Sequence, residues 1–253
     1  MLICQLIFQS MEKRIYLILL SVSVIFFSCK DNSKYAEQLF TNKEISNALK
    51  QCIDSTAVRT CNALCVVDST LNPQFGYSYY GSKSYRLDLP AAAKNVVDTL
   101  KEYGFDNNID TLLIAAMNRA AELCGNDLIR QFWKPTSDTI IFPNPNAILH
   151  GGNDALTNFV KQNYQTEFIS VLVNSILKEQ FKELDIITTW NTFQKEYYEI
   201  TGTYSSIDIL IPAAQQMTAG FFRKMAIEEE KIRKDPKMRG NPTGFLYRVF
   251  ATL

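Results

Sequence analysis

The stretch TNKEISNALKQCIDSTAVRTCNALCVV, residues 41–67, decides the fold class of this chain. Thr41 and Glu44 have the spacing of a capping box, in which each side chain satisfies a backbone donor in the first turn of a helix. Apolar or small residues then recur at intervals of three and four, the period of one helix face. They are Ile45, Ala48, Leu49, Cys52, Ile53, Ala57, Cys61, Leu64 and Cys65. A stripe of this length must be buried against other elements, which predicts a helical bundle.

Helical periods with start and stop residues continue to the end of the chain. Pro90 suits the first turn of a helix, and Gly104 suits a C-terminal cap. Asn144–Pro145 predicts the start of a short helix, and Asn153 is predicted to cap the next one. No alternation of apolar and polar residues is long enough for a sheet. We therefore predict an all-α fold, a single bundle of roughly seven to nine helices over residues 41–253.

Two stretches are predicted to be irregular. Residues 68–90 lose the helical period and form a long loop that is rich in tyrosine. These tyrosines could form a surface on which a ligand stacks or could anchor the loop on a helix, and we favour the anchoring role. Residues 135–143 are predicted to be a connector because a proline stands at each end. The tyrosines of the loop are Tyr77, Tyr79, Tyr80 and Tyr85.

Upstream of the bundle, residues 11–29 (MEKRIYLILLSVSVIFFSC) have the pattern of an export signal. Two basic residues follow Met11, and the apolar run after them would span only about 21 Å as a helix, short of a hydrocarbon core of about 30 Å. The run ends in FFSC, which resembles a bacterial lipobox. We therefore predict a signal peptide over residues 1–28, a true start at Met11 and a lipid on Cys29. An uncleaved membrane helix and cleavage without a lipid are the alternatives.

The predicted lipid decides the expected location and partners. Acyl chains on Cys29 would hold the protein in the cell envelope, at the outer membrane on its periplasmic or its surface face. Residues 29–40 would tether the bundle to that membrane. The chain has 26 basic and 26 acidic side chains, so it has no basic excess for a phosphate backbone and nucleic acid is not an expected partner. The remaining expected partner is an unknown envelope protein or ligand.

His150 is the only histidine of the chain, so any histidine-based acid–base mechanism must use it. It is followed by Gly151, Gly152 and the predicted helix start at Asn153, where exposed backbone donors could bind an anion. The alternative, which we favour, is a tight turn between two helices that the glycines permit. No nucleophile motif accompanies the histidine, so no catalytic residue is assigned, and His150, Glu228 and Glu229 remain only as candidates.

Charged side chains interrupt the apolar stripes of two predicted helices. Glu228 and Glu229, the candidate acidic partners of His150, lie in a run of alternating charges that is typical of a solvated helix face. A sharper hypothesis is that these residues meet Arg119, Glu122 and Arg233 inside the bundle as a structural polar cluster. On this second interpretation the carboxylates support the fold and catalyse nothing.

Four cysteines remain in the predicted mature chain apart from Cys29. With a single histidine the usual zinc ligand sets are poorly supplied, so no metal and no cofactor is predicted. A disulfide, for example between Cys124 and the first helix, is possible in an oxidising envelope. Buried thiols that act as small apolar groups are the alternative. The four are Cys52, Cys61, Cys65 and Cys124.

Several motifs taken in order are more specific than any one of them. They are EISNALKQ (44–51), LDLP (87–90), MNRAAE (117–122), ILHGGNDALT (148–157), GFF (220–222) with the charged helix after it up to Asp235–Pro236, and VF (249–250). Together they resemble a bacterial family, the domain of unknown function 4197 family, over nearly the whole mature chain. The resemblance implies an envelope-associated helical domain that is often exported or lipidated, and it implies no activity.

We therefore expect a lipid-anchored envelope protein that acts as a binding or interaction module without catalysis. Two alternatives stay open. The first is an envelope hydrolase that uses His150 with acidic partners. The second is a carrier of apolar ligands, which would need a roomy apolar cavity between its helices.

Overall fold

The computed structural model of the chain describes residues 40–65, 76–78 and 85–253, and within them the prediction of an all-α fold is confirmed. These residues form helices and turns and no strand. From Asn42 to Leu253 they belong to one compact unit. No helix among the described residues is long and apolar enough to span a membrane. The predicted signal peptide and Cys29 lie outside the described residues.

Nine helices, labelled α1 to α9 in chain order, make up the described part of the chain. Helices α4 and α6 each contain one π-helical turn, and a 3-10 turn, Pro236–Arg239, follows α8. The helices are α1 Asn42–Leu64; α2 Ala91–Glu102; α3 Ile109–Leu123; α4 Gly125–Leu128, Ile129–Trp133 and Lys134–Thr139; α5 Pro145–Leu149; α6 Ala155–Val171, Leu172–Ile176 and Leu177–Glu183; α7 Ile186–Thr201; α8 Leu210–Lys234; and α9 Phe245–Phe250.

The stripe of α1 is buried as its period predicts. It packs against α8 and α9, and its core residues are almost completely removed from water, since Ala48, Leu49, Cys52 and Ile53 are all 0% exposed. Burial of this apolar area is the main source of stability for an amphipathic helix. The helix ends at Leu64, one residue before the last member of the predicted stripe, Cys65.

An aromatic cluster fills the core between α4, α6 and α8. The Trp133 ring stacks on Phe221 at a centroid distance of 5.2 Å, and its edge meets Phe132 at 4.9 Å. Phe168 lies 4.8 Å from Phe132 and 5.3 Å from Phe221. Offset and edge-to-face contacts of this kind add to the stabilisation from buried area. The cluster holds α4, α6 and α8 together in the core.

The predicted connector over residues 135–143 is wrong in its first half, because Lys134–Thr139 is helical. Proline lacks a backbone donor and clashes with the carbonyl one turn earlier in a regular helix. Here a π-helical turn, Ile129–Trp133, precedes Pro135, and the Lys134 N–H donates to the carbonyl of Ile129 five residues back. The wider turn accommodates the proline near the start of the last helical segment.

The ends of α2 show which terminus residues can be predicted. Gly104 has φ +96°, its N–H donates to the Lys101 carbonyl, and the N–H of Phe105 donates to the Leu100 carbonyl. This is the Schellman arrangement, which needs a left-handed residue and confirms the predicted cap. Pro90 is the N-cap of α2 and has an extended backbone, so it precedes the first helical turn in which it is predicted to lie.

Candidate functional site

The turn around His150 joins α5 to α6 on the surface. The predicted start of α5 is confirmed, since the Asn144 side chain accepts a hydrogen bond from the Ala147 N–H at 3.1 Å. His150 is the exposed C-cap of this helix. A Cβ on Gly151 would lie 2.7 Å from the Ala155 Cβ, so only glycine fits this close approach. The geometry therefore favours the tight-turn interpretation.

The first turn of α6 is capped by a carboxylate from a distant helix. The N-cap residue is Asp154, not the predicted Asn153, and its side chain makes no capping bond. Instead Glu229 of α8 accepts the N–H of Leu156 at 3.0 Å and that of Thr157 at 2.7 Å. These are the second and third backbone donors of α6, which a capping side chain normally satisfies. The helix N-terminus thus already holds an anion, the chain's own Glu229.

Arg233 of α8 completes this arrangement from one turn further along. Its guanidinium pairs with the Glu229 carboxylate at 2.8 Å. It also donates to the carbonyls of Leu149 at 2.6 Å and Ile148 at 3.0 Å, at the end of α5. A cation at a helix C-terminus and an anion at a helix N-terminus both complement the helix dipoles. We use the name helix-end joint for Glu229, Arg233 and the two helix ends that these side chains cap.

The helix-end joint is buried, which sets its energetic character. Glu229 is 0% exposed and Arg233 is 7% exposed. The Phe250 ring lies 5.5 Å from the Arg233 guanidinium carbon, in the range of a cation–π contact. Because each charge has an opposite charge and backbone partners, the pair avoids the penalty of an unpaired buried ion. Three sequence motifs meet here: ILHGGNDALT, which contains both the His-Gly-Gly turn and the start of α6, the charged end of α8, and Val-Phe.

Glu228, the neighbour of Glu229, has different partners. Its carboxylate pairs with Lys224 at 2.8 Å and with Lys231 at 2.7 Å. Burial acts to raise the pKa of Glu228, but the hydrogen bonds and charges of the two lysines outweigh it and the pKa is lowered. A carboxyl that stays ionised between two lysines is poorly suited to act as a general acid.

Arg119 and Glu122 form the other pair of the predicted polar cluster, at 3.4 Å. Glu122 is buried and accepts the Ser78 N–H at 2.9 Å. A Cβ on Gly76 would lie 2.5 Å from the Glu122 carboxylate, and Gly76 has φ +97°. The structure therefore brings together Arg119 with Glu122, and separately Glu229 with Arg233. Glu122 holds the described part of the tyrosine-rich loop.

The loop tyrosines that the structure describes anchor the loop. Tyr77 is 0% exposed, and its hydroxyl donates to the Met217 carbonyl of α8 at 3.3 Å. A Cβ on Gly220 would lie 3.4 Å from both the Tyr77 and Tyr85 rings, so the glycine makes room for them. Arg223 lies 5.8 Å from the Tyr85 ring centroid. Tyr79 and Tyr80 lie outside the described residues.

Two side-chain amides that the sequence did not single out fix the segment before α2. The buried Asn118 of α3 accepts the Leu87 N–H at 2.8 Å and donates to the Leu87 carbonyl at 2.9 Å. Gln216 of α8 does the same for Asp88, at 2.8 Å and 2.9 Å. Both backbone groups of two adjacent residues are thus paired. We call this arrangement the amide clamp; its signal is a polar residue, Asn118, on an apolar helix stripe.

The four cysteines of the described region are free thiols. Burial raises the pKa of Cys52 and of Cys124. The pKa of Cys65 is raised mainly by a hydrogen bond with Cys61 and, to a smaller extent, by burial. Such thiols stay protonated at neutral pH and are poor nucleophiles. Within the described residues no group of histidine, cysteine and acidic side chains is arranged to hold a metal ion.

An open cleft lies on the surface along α7, and amide, hydroxyl, charged and tyrosine side chains line it. Its volume is about 550 Å³, within the range of small-ligand sites. Tyr198 is 50% exposed and Tyr204 is 79% exposed. Their ring centroids are 6.5 Å apart and the rings are inclined at 72°. We call it the tyrosine cleft; the spacing of Asn191, Gln194, Lys195 and Tyr198 on one helix face is the sequence signal for it.

Comparisons with known proteins give one match. The family model described as "Protein of unknown function (DUF4197)" matches residues 39–251, a range that includes α1 to α9. No curated protein and no solved structure matches the chain. The match agrees with the resemblance seen in the motifs, and it attaches no ligand, partner or reaction to any of the residues described above.

Proposed function

The chain belongs to the DUF4197 family, whose description names no activity, and from its own residues we propose that it is a lipid-anchored binding module of the cell envelope. The proposal has two parts. The first is an anchor, a lipid on Cys29 after removal of residues 1–28. The second is a helical domain that binds an envelope component and catalyses no reaction.

The anchor is supported by the sequence before the bundle. The short positive region, the apolar run and the Phe-Phe-Ser-Cys end have the order that lipoprotein export requires. Several acyl chains on one cysteine give stable membrane attachment, because each buried methylene contributes about 0.8 kcal/mol. The outer membrane is the proposed location.

The single observation that supports binding over catalysis is the position of Glu229. A general base for His150 chemistry must reach the reacting proton, and Glu229 is instead occupied by Leu156, Thr157 and Arg233. Glu228 is held by two lysines. The acidic partners proposed for a hydrolase are therefore engaged in structural contacts, while His150 stands exposed on a turn.

We favour a surface site over the carrier alternative, because the tyrosine cleft is open to solvent and polar side chains line it beside the two tyrosines. The tyrosine cleft is bordered by amide and hydroxyl groups, among them those of Asn191, Ser205 and Ser206. A second cleft of about 490 Å³ is lined mainly by charged side chains, whereas an apolar ligand needs an apolar lining. These side chains are Arg86, Asp88, Lys94, Asp98 and Asp110.

Intact-mass spectrometry of the full chain, expressed in a bacterium and extracted from its membranes, tests the anchor. We expect the loss of residues 1–28 and the added mass of a diacylglycerol and one further acyl chain. The variant Cys29→Ser should carry no lipid and should be lost from the detergent-extracted membrane pool. Cys4→Ser is the matched control and should behave as the wild type, since Cys4 is removed with the signal peptide. A wild-type mass with residues 11–28 retained and no lipid would overturn the anchor.

Turnover assays test the second part. Incubation of the purified chain with peptidoglycan fragments, phospholipids and simple esters should release no product above a heat-inactivated control. Product release by the wild type that disappears in His150→Ala would overturn the non-catalytic assignment. That outcome would return His150 to the centre of a hydrolase.

A further inference from the structure

We propose that the tyrosine cleft binds a neutral saccharide chain. The inference deepens the proposed function, on which it rests, by assigning the ligand class and the residues that contact it. It concerns α7 and the segment after it, which contain none of the motifs of the family resemblance.

One wall of the tyrosine cleft is a single face of α7. Asn191, Gln194, Lys195 and Tyr198 stand at positions i, i+3, i+4 and i+7, which share one side of a helix. All four border the cleft. Two side-chain amides, a lysine ammonium group and a tyrosine ring thus lie along about two turns, or roughly 10 Å, of one helix face.

The other wall is the segment that follows α7, and it is held in place. Gly202 has φ +66°, and its N–H donates to the Tyr198 carbonyl at 2.8 Å, so the chain reverses there. Trp190 then donates its indole N–H to the Ile207 carbonyl at 2.7 Å, and the Ile207 N–H donates to the Gln194 side chain at 2.8 Å. The segment is therefore pinned along α7, and a ligand would meet a preformed site.

The two tyrosine rings give the cleft an apolar corner. The ring planes of Tyr198 and Tyr204 are inclined at 72° with their centroids 6.5 Å apart, so the two rings form an edge-to-face pair beside the cleft. Rings that are 50% and 79% exposed leave apolar area in contact with water, which a ligand could cover. A sugar ring has an apolar face of C–H groups and a rim of hydroxyls, so it can stack on one ring while its rim reaches polar side chains.

The charges of the cleft favour a neutral ligand. Lys195 pairs with Glu199 at 3.4 Å. Asp208 accepts the N–H groups of Leu210 at 2.6 Å and of Ile211 at 3.3 Å at the start of α8. Among the described residues that line the cleft, the cation Lys195 and the anion Asp208 are thus both engaged by partners within the chain, which favours a ligand that carries no charge of its own. The Gln194 amide oxygen is taken by the Ile207 N–H and the Ser205 hydroxyl, so the Asn191 amide and the Ser206 hydroxyl are the polar groups that we assign to a polyhydroxylated ligand.

Isothermal titration calorimetry of the full chain in mild detergent tests the proposal. The probes are chitotetraose and maltotetraose, with tetra-alanine as a peptide arm. We expect saturable binding of at least one saccharide. Tyr204→Ala should weaken it by about tenfold or more, because the stacked ring contributes both buried area and an aromatic contact, whereas Tyr204→Phe should keep it within about threefold. Tyr103→Ala, a control tyrosine that is 65% exposed and does not border the cleft, should leave the affinity within about twofold.

The outcomes separate this proposal from the proposed function. Saccharide binding that Tyr204→Ala leaves unchanged overturns the cleft as the site. Binding of tetra-alanine alone, lost in Tyr204→Ala, overturns the saccharide assignment and leaves the binding module intact. Absence of any binding overturns the saccharide assignment, while the anchor and the turnover assays judge the proposed function on their own readouts. Melting curves of each variant identify any loss that is due to unfolding.

Discussion

Replacing Glu229 with alanine is expected to lower the free energy of unfolding by about 3–5 kcal/mol, the usual effect of removing one member of a buried ion pair. The reason lies in the helix-end joint. Arg233 would remain buried without its carboxylate, and the N–H groups of Leu156 and Thr157 would lose their acceptor. Urea denaturation measures the change directly. A thermal melt should show a fall of roughly 6–20 °C for a chain of this size.

Two controls make this prediction specific. His150→Ala changes an exposed side chain on the same turn and should alter the free energy of unfolding by less than about 0.5 kcal/mol. In a double-mutant cycle the loss in Glu229→Ala with Arg233→Ala should be smaller than the sum of the two single losses. Additive losses, or a Glu229→Ala variant as stable as the wild type, would show that the contact between Glu229 and Arg233 does not stabilise the fold.

Replacing Asn118 with alanine is the second large change that we expect. The buried amide pairs with both backbone groups of Leu87, and its loss would leave one donor and one acceptor without partners. Each unpaired buried group costs about 1–3 kcal/mol, so the loss of both pairings should lower the free energy of unfolding by about 2–6 kcal/mol. Urea denaturation is again the measurement.

The amide clamp contains its own matched control. Gln216 makes the same two bonds to Asp88, but both residues are only partly buried. Water can replace lost partners there, so Gln216→Ala should cost about 1 kcal/mol. The order of the two effects is the test. If Gln216→Ala lowers the free energy of unfolding more than Asn118→Ala does, burial does not determine how much each amide of the clamp contributes to stability.

The sequence was sufficient for features that depend on local chemistry. The buried stripe of α1, the glycine cap of α2 and the Asn144–Pro145 start of α5 all follow from the spacing of a few residues. The failures have local causes as well. Helix α4 continues past Pro135 because a π-helical turn, which has no sequence signature, precedes the proline. The capping bond predicted for Asn153 is made instead by Glu229 of another helix.

The site could be predicted only in its residue types. Glu229 and Arg233 stood out as charges on an apolar stripe, yet their partners at residues 148–157 lie more than 70 positions away in the chain. Spacing along a sequence carries no information about such distances. Asn118 was part of a motif without an evident role, and its role became visible only when α3 was placed beside Leu87.

The motifs on which the family resemblance rests thus have structural roles wherever the described contacts include them. The helix-end joint uses the turn after α5, the start of α6, the end of α8 and Phe250. The amide clamp joins the LDLP segment to the Asn118 motif. These motifs build the scaffold, and we propose that the ligand-binding face lies apart from them, along α7.

Hydrogen–deuterium exchange of the full chain, followed by mass spectrometry with and without chitotetraose, tests that claim most directly. We expect slower exchange in peptides that cover residues 191–208 and unchanged exchange in peptides that cover residues 148–157. Protection of residues 148–157, with none at 191–208, would contradict it and would make the His150 turn the ligand site.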